Sequence, residues 1–528
     1  MKKGLLKNNY AGYLIKSLPF RRDFISNSGG LAKSPLSITA GIAGLTFSAV
    51  FGITDTDREA LMIREYPEGE QKKWNFIFII ADDLGWTGLS GYGSDLHETP
   101  NIDRFASESM KFTNAYSAAA ISSPTRASLM TGKYPARLNM TTWYENSLKT
   151  PESDKNKLKG PATDGNLPLE EYTLAEAFRD AGYYTAHIGK WHLGNAVHYP
   201  EAHGFQINIG GTMWGMPLTF WYPFSGWRAV DSEHRYVPGL ENIHGGNEGT
   251  YLTDRLTDEA LKIIEAKKDK PFFLHMSYYT PHVPIEGKPE YTEYYKDKIK
   301  QEFYHKNPGY AAMISSLDEN VGRILNKVDE LGISERTVII FYSDNGGVNN
   351  QRVNTDNNYP LRSGKGSLYE GGLRVPLIIR WPGITRAGSI CDFPVSTIDF
   401  YPTFLEIANI KGDENHNKYI DGLSLVPLLN NPEKGMNREF LFWHHPHYYL
   451  DVTSPVSAVR KDNWKLLHYF EDGHLELYDL MNDIGEENNI ANQYPEITND
   501  LYMTLQNWRV GINAQYPAFN PEYRPDRW

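Results

Sequence analysis

Short, strongly apolar runs that end in acidic or amide residues constrain the fold of this chain most. Residues 74–81 (WNFIFIIA) lead directly into Asp82-Asp83, and residues 338–342 (VIIFY) lead through one serine into Asp344-Asn345. A third run covers residues 272–276 (FFLHM). Runs this apolar indicate strands buried on both faces, as in parallel sheets.

Helical periodicity alternates with these runs. It predicts helices over residues 174–180, 252–267 and 310–331. The order of elements therefore predicts an α/β fold, with a large, mixed but mostly parallel sheet sandwiched by helices. Ligands of such sheets collect at the carboxyl ends of the strands, where the acidic pairs stand.

The pattern changes after about residue 430. Residues 457–459, 464–469 and 474–478 are typical of short strands separated by turns, and a helix is expected near residues 499–510. We therefore predict a smaller C-terminal antiparallel-sheet subdomain over residues 431–528, after a larger domain over residues 54–430 that carries the acidic strand ends.

The first 53 residues have the form of an export signal. Residues 1–33 carry seven Lys or Arg and a single Asp, and residues 34–54 carry no charge. The pair Arg21-Arg22 ahead of the apolar run resembles a twin-arginine signal, which directs export of folded proteins. We expect a periplasmic or secreted bacterial enzyme without a stable membrane anchor.

Charge and cysteine content exclude several classes of function. The formal net charge of −12 argues against a nucleic-acid partner, which needs a basic face. Cys391 is the single cysteine, so an intrachain disulfide and a cysteine metal cluster are impossible. We interpret Cys391 as a buried structural residue.

The residues after the two acidic strands could bind a metal ion. Asp82, Asp83, Asp344 and Asn345 offer hard oxygen ligands that suit Ca²⁺ or Mg²⁺ better than Zn²⁺. Each pair alone could equally cap a helix or form a turn.

A serine-proline motif favours the functional interpretation. Residues 122–132 read SSPTRASLMTG, with Pro124 placed to begin a helix whose amino end faces Ser122. The segment resembles the signature of the sulfatase family: Cys or Ser, any residue, Pro, any residue, Arg, four residues, Thr-Gly. Further matches follow in the family's order: Asp82-Asp83-Leu84-Gly85-Trp86, Thr99-Pro100-Asn101-Ile102-Asp103, Gly189-Lys190-Trp191-His192-Leu193-Gly194, Thr280-Pro281-His282, Asp344-Asn345-Gly346-Gly347, Lys365 and Glu476-Leu477-Tyr478-Asp479-Leu480.

The resemblance implies a fold like that of alkaline phosphatase and hydrolysis of sulfate esters. It implies that Ser122 is oxidised to formylglycine, whose hydrate attacks sulfur and gives a sulfo-enzyme intermediate. A second hydroxyl of the hydrate then expels sulfate without another attack at sulfur. One Ca²⁺ per chain would be held by Asp82, Asp83, Asp344, Asn345 and the modified Ser122.

The remaining roles also follow from the resemblance. Lys190 and Lys365 would bind the sulfate group, and Arg126 would orient the hydrate. His192 would assist the hydrate and its breakdown. His282 would contact the substrate and act as the general acid on the leaving alkoxide.

Serine at position 122 departs from most family members, which have cysteine there. Serine-type members are matured by a radical enzyme in the cytoplasm, which agrees with export after folding. An engineered Cys→Ser variant and a natural non-catalytic relative remain alternatives to a native serine-type enzyme.

We expect the substrate to be a sulfated oligo- or polysaccharide of galactose or N-acetylgalactosamine type, attacked by exo action. Two segments resemble the pocket insert of such enzymes, residues 198–205 and 221–227, although either could be a packed loop. Two rival functions stay open. One is a phosphatase or phosphodiesterase of the same superfamily, which would need two zinc sites. The other is a non-catalytic sulfoglycan-binding protein with unmodified Ser122.

Overall fold

An eight-stranded sheet forms the centre of the structure. The computed structural model describes residues 73–148, 154–228, 233–240, 246–349, 358–450 and 452–525. The predicted export signal lies outside the described residues. Strands β1 to β8 are, in chain order, Asn75–Ala81, Met110–Phe112, Tyr184–Gly189, Ile207–Ile209, Phe272–Ser277, Thr337–Ser343, Leu377–Arg380 and Ser389–Cys391.

The sheet is mixed but mostly parallel, as predicted. Its strand order is β8-β2-β7-β6-β1-β5-β3-β4. The strands from β6 to β4 in that order all run parallel. Strand β7 is antiparallel to β6 and β2, and β8 is parallel to β2. The three runs predicted to be buried strands are β1, β5 and β6, which lie side by side at the centre.

Helices cover both faces of this sheet. Those of seven or more residues, α1 to α8, are Pro100–Ser107, Ser122–Thr131, Leu174–Asp180, Leu252–Lys267, Pro289–Lys298, Pro308–Glu330, Phe400–Ala408 and Pro495–Gly511. Shorter helices are Tyr144–Ser147, Glu370–Leu373, Glu414–Asn417 and Val426–Asn430. Because side chains alternate along a strand, Phe76 and Phe78 of β1 pack with α2, α3 and α7, whereas Ile77 and Ile79 pack with α1, α4 and α6.

A smaller antiparallel sheet follows, as predicted. Its strands β9 to β12 are Leu441–His445, Val456–Lys461, Trp464–Tyr469 and Leu475–Asp479, paired in that order. Helix α8 packs against this sheet. Strand β9 was not predicted. The described residues belong to one compact unit, and the boundary at residue 430 stays a prediction.

A buried ion cluster connects the small sheet to the rest of the fold. Lys465 Nζ in β11 lies 2.9 Å from both Glu370 Oε1 and Glu486 Oε1, and all three side chains are inaccessible to solvent. Burial, together with repulsion by Glu370, raises the pKa of Glu486 to about 7 even though Lys465 opposes the shift. Glu370, one member of the cluster, follows the loop that contains Lys365.

Minor elements complete the described chain. Cys391 is buried in β8, as predicted, and its thiol donates to the Pro432 carbonyl over 3.8 Å.

Within the described residues, every helix is too short or too polar to cross a bilayer. Three two-stranded ladders pair Ala115–Tyr116 with Val395–Ser396, Leu158–Lys159 with Ala518–Phe519, and Gly226–Arg228 with Glu233–Arg235.

Candidate active site

The carboxyl ends of adjacent parallel strands bring the predicted residues together. Ala81 at the end of β1 pairs with Ser343 at the end of β6, so the acidic pairs that follow are neighbours. The backbone N–H of Asp83 donates to Asp344 Oδ1 over 3.2 Å. Lys190 directly follows β3, and His282 lies in the loop after β5.

The amino end of helix α2 places Ser122 in the middle of this cluster. Ser122 Oγ lies 3.3 Å from Asp82 Oδ1 and 3.3 Å from Asn345 Oδ1. Its side chain is buried, and no side chain caps the helix. The positive end of the helix dipole therefore favours negative charge beside Ser122.

Arg126, one turn further along α2, holds one of the carboxylates. Its Nε and Nη2 lie 2.9 and 2.8 Å from Asp344 Oδ2, and its Nη1 donates to the Lys190 carbonyl at 3.0 Å and to Ser277 Oγ at 2.5 Å. Arg126 thus fixes Asp344 and the backbone of Lys190 relative to α2. Attraction to Arg126 and Lys190 keeps the pKa of Asp344 below its usual range in spite of burial.

Two lysines contact the cluster, each on a different carboxylate. Lys190 Nζ lies 2.8 Å from both carboxylate oxygens of Asp82 and 3.0 Å from Ser122 Oγ. Lys365 Nζ lies 2.8 Å from Asp83 Oδ2. Burial lowers the pKa of Lys190, whereas Asp83 raises that of Lys365 against the effect of burial.

The cluster fits a hard divalent cation. Oxygens of Asp82, Asp83 and Asn345 converge near Ser122, and ligand atoms of Asp82, Asp83 and His282 lie within 4.8 Å of one another. Burial raises the pKa of Asp82 to about 8, despite the opposing charge of Lys190. Buried carboxylates need positive charge, and carboxylate and amide oxygens are the ligands that Ca²⁺ prefers.

His282 lies between one carboxylate and one lysine. Its Nε2 is 3.3 Å from Asp83 Oδ2 and 3.1 Å from Lys365 Nζ, and its Nδ1 is 2.9 Å from the Val283 carbonyl. Burial lowers the pKa of His282 to about 3, so the free site holds this imidazole neutral. An anionic substrate beside it would raise that pKa.

His192 has a carboxylate partner that the sequence motifs did not reveal. His192 Nε2 lies 2.7 Å from Glu145 Oε2. Glu145 belongs to the short helix Tyr144–Ser147, outside every matched motif. His192 and Asp83 both have a backbone φ of 63°, in the left-handed region that residues other than glycine rarely adopt. Such strained positions cluster at functional sites.

Two aromatic residues outside the candidate insert segments pack together beside the loop that contains Lys365. Of the two candidate insert segments, Phe205 and Phe224 are core residues, while Trp227 is 72% exposed. Instead, the Trp143 and Tyr449 rings meet edge to face at 5.3 Å. The Tyr449 ring lies against Gly366, where an added Cβ would come within 2.0 Å of the ring. Tyr449 therefore packs beside the Lys365 loop.

Comparisons with known proteins agree with the geometry. The family model described as Sulfatase matches residues 74–410, and that described as N-sulphoglucosamine sulphohydrolase, C-terminal, matches residues 364–511. A protein named Sulfatase from Formosa agariphila is 34% identical over 530 residues, covering 89% of this chain and 93% of that protein.

Two further relatives extend the comparison. The N-acetylgalactosamine-6-sulfatase of Mus musculus is 31% identical over 370 residues, covering 67% of this chain and 66% of that protein. The solved crystal structure of Ps i-CgsB in complex with k-i-k-neocarrahexaose superposes with a TM-score of 0.68 and a sequence identity of 28%. The match covers 85% of this chain and 94% of that one. The motifs, the fold and these matches together show that the chain belongs to the sulfatase family, whose members hydrolyse sulfate esters.

Proposed function

We propose that this sulfatase removes sulfate from a sulfated carbohydrate of galactose or N-acetylgalactosamine type by exo action on an oligo- or polysaccharide. The observation that carries the proposal is the position of Ser122. Its Oγ lies between the Asp82 and Asn345 oxygens and accepts a hydrogen bond from Lys190 at 3.0 Å. A nucleophile there would meet an anionic ester beside the positive charge of Lys190.

Conversion of Ser122 to formylglycine is part of the proposal. An unmodified serine hydroxyl is a weak nucleophile, and of the two charged groups that contact Ser122, the Asp82 carboxylate is itself engaged at both oxygens by the other, Lys190. Formylglycine supplies, as its hydrate, a nucleophilic hydroxyl on the same side chain. The proposed partner for this modification is a radical maturase acting in the cytoplasm before export of the folded chain.

One Ca²⁺ is proposed at Asp82, Asp83, Asp344 and Asn345, with residue 122 as a further ligand. When bound, the ion neutralises sulfate oxygens and polarises the ester. The protein's own part is to keep three carboxylates converged without solvent, through Arg126 on Asp344, Lys190 on Asp82 and Lys365 on Asp83.

The side chains around Ser122 then divide the remaining work. Lys190 and Lys365 neutralise the non-bridging sulfate oxygens as negative charge moves toward the leaving group. His282, next to Lys365 Nζ at 3.1 Å, protonates the leaving alkoxide once the substrate's charge has raised its pKa. His192 serves the proton transfers at residue 122.

Carbohydrate specificity is supported by relatives. The mouse relative is named for N-acetylgalactosamine 6-sulfate, and Ps i-CgsB binds a hexaose. The edge-to-face pair of Trp143 and Tyr449 beside the Lys365 loop offers ring surface of the kind on which sugars stack. The location, periplasm or extracellular space, is proposed from the predicted export signal.

Sulfate release from sulfated mono- and disaccharides tests the proposal, with formylglycine content measured on the same sample. Release from a galactose or N-acetylgalactosamine sulfate is expected. Failure on every sulfated sugar by fully modified protein would contradict the carbohydrate assignment. Faster hydrolysis of the matching phosphate ester, with a pair of zinc ions per chain, would favour the phosphatase rival instead.

A further inference from the structure

Among the residues that the structure describes, Glu145 contacts one catalytic candidate, His192. Its Oε2 lies 2.7 Å from His192 Nε2, and its Oε1 accepts a hydrogen bond from the backbone N–H of Gly215 at 3.2 Å. Both carboxylate oxygens are thus held by fixed partners. The His192 side chain is 6% exposed and that of Glu145 28% exposed, so the pair is largely protected from solvent.

Gly215 lets the imidazole lie close to the chain. A Cβ at this position would stand 2.4 Å from His192 Cε1 and 2.8 Å from each ring nitrogen. Any larger residue would therefore displace the ring from Glu145. On the other side, the Ser123 hydroxyl donates to the His192 carbonyl at 2.7 Å, which ties the histidine backbone to the first turn of α2.

These contacts leave one ring nitrogen available. Nε2 is engaged by Glu145, whereas Nδ1 is buried without a hydrogen-bond partner among the described residues. A carboxylate on Nε2 requires that this nitrogen carry the proton, so Nδ1 presents its lone pair. The charged groups that act on His192 are Glu145, Lys190 and Arg126; Lys190 also donates to Ser122, and Arg126 lies one turn along α2 from it.

The geometry points to Glu145 as a positioning residue that fixes the orientation and tautomer of His192, so that Nδ1 serves as the proton acceptor at residue 122. This inference rests on the proposed role of His192. It follows the general logic by which a carboxylate orients a catalytic histidine. No proton needs to leave the pair, because Nε2 keeps its hydrogen and only Nδ1 gains one.

A double-mutant cycle tests the inference, with 4-nitrophenyl sulfate as substrate and every rate divided by formylglycine content. We expect Glu145→Ala to lower kcat about 10- to 100-fold with KM nearly unchanged. Glu145→Gln can still accept from Nε2 and should keep more activity than Glu145→Ala. In a His192→Ala background, Glu145→Ala should cost nothing further, because the contact that links Glu145 to the chemistry has been removed.

A second glutamate–histidine pair supplies a matched control. Glu171 Oε2 lies 3.2 Å from His416 Nδ1 and 2.5 Å from Lys133 Nζ, near the opposite end of α2. Glu171→Gln should leave kcat unchanged. The inference would be overturned if Glu145→Ala lowered kcat in the His192→Ala background by the same factor as in wild type. It would also be overturned if the Glu145→Ala enzyme were as fast as wild type. Wild-type protein that carries formylglycine but hydrolyses no sulfate ester would instead contradict the proposed function.

Discussion

Lys190 Nζ donates to Ser122 Oγ over 3.0 Å while it contacts both carboxylate oxygens of Asp82 at 2.8 Å. A single buried ammonium group therefore links the nucleophile position to a proposed metal ligand. The chain as a whole is acidic, with a net charge of −12. Long-range attraction cannot gather an anionic ester, so the local positive groups must do so.

Replacing Lys190 tests this local reversal of charge. Lys190→Ala should lower kcat/KM by about 100-fold or more, because a preorganised cation on the sulfate oxygens is lost. The control is Lys262→Ala, since the Lys262 side chain is 66% exposed and pairs with the half-buried Glu259, away from the site residues. Thermal unfolding and the residue 122 modification are measured for both variants. Equal losses in the two would contradict a special role for Lys190.

Metal removal should abolish turnover. Chelation is expected to inactivate the enzyme, and Ca²⁺ to restore it better than Zn²⁺, because the ligand atoms are carboxylate and amide oxygens. Asp344→Asn removes one charged ligand and should weaken Ca²⁺ binding by at least about 10-fold, as measured by calorimetry. Asp329→Asn, at an exposed position on α6, provides the comparison. Reactivation by Zn²⁺ alone would count against the calcium site.

The proposed acid role of His282 predicts a dependence on the leaving group. His282→Ala should slow release of a sugar alkoxide by about 100-fold or more, because that group must be protonated as it leaves. Hydrolysis of 4-nitrophenyl sulfate should fall much less, since nitrophenolate leaves without a proton. The ratio of the two losses is the measurement. The same factor on both substrates would rule out general acid catalysis by this histidine.

The buried Glu370–Lys465–Glu486 cluster predicts a pH effect on stability. The pKa of Glu486 is raised from 4.5 to about 7 in the folded state, so the folded chain binds this proton more tightly than the unfolded chain. Stability is therefore lost as pH rises through this window, by about 3 kcal/mol from linkage. Glu486→Gln removes this titration. The melting temperature of the variant minus that of wild type should therefore increase as the pH rises from about 4.5 to about 8.

Glu487, an exposed neighbour of Glu486, gives the matched substitution for that experiment. Glu487→Gln should track wild type at every pH. A Glu486→Gln protein whose melting temperature parallels wild type across the same range would show that the cluster titrates outside it.

Sequence patterns predicted the central strands because their apolar runs are nearly continuous, and several helices because their apolar side chains repeat with the helical period. Helices α3 and α4 have the predicted bounds, and β1, β5 and β6 differ by one or two residues. Strand β9 was missed, since its sequence LFWHH mixes apolar and histidine residues without alternation. The antiparallel direction of β7 depends on tertiary contacts that no local pattern encodes.

The residues of the candidate site were likewise predicted only in part. Asp82, Ser122 and Lys190 stand in ordered motifs, and the structure brings them within hydrogen-bond distance. Glu145 and Tyr449 stand in no motif, and only their tertiary contacts with His192 and Gly366 connect them to the site. A lone glutamate or tyrosine is usually a surface or core residue, so no sequence signal singled them out.

The mass of the tryptic peptide that spans residues 112–126, from protein made in its own host, tests the central claim most directly. This peptide contains Ser122 and ends at Arg126. Formylglycine predicts a peptide two hydrogen atoms lighter than the encoded sequence, or that species plus one water. A peptide with only the unmodified serine mass, from protein that nevertheless binds sulfated sugars, would contradict the catalytic account and leave a sulfoglycan-binding protein.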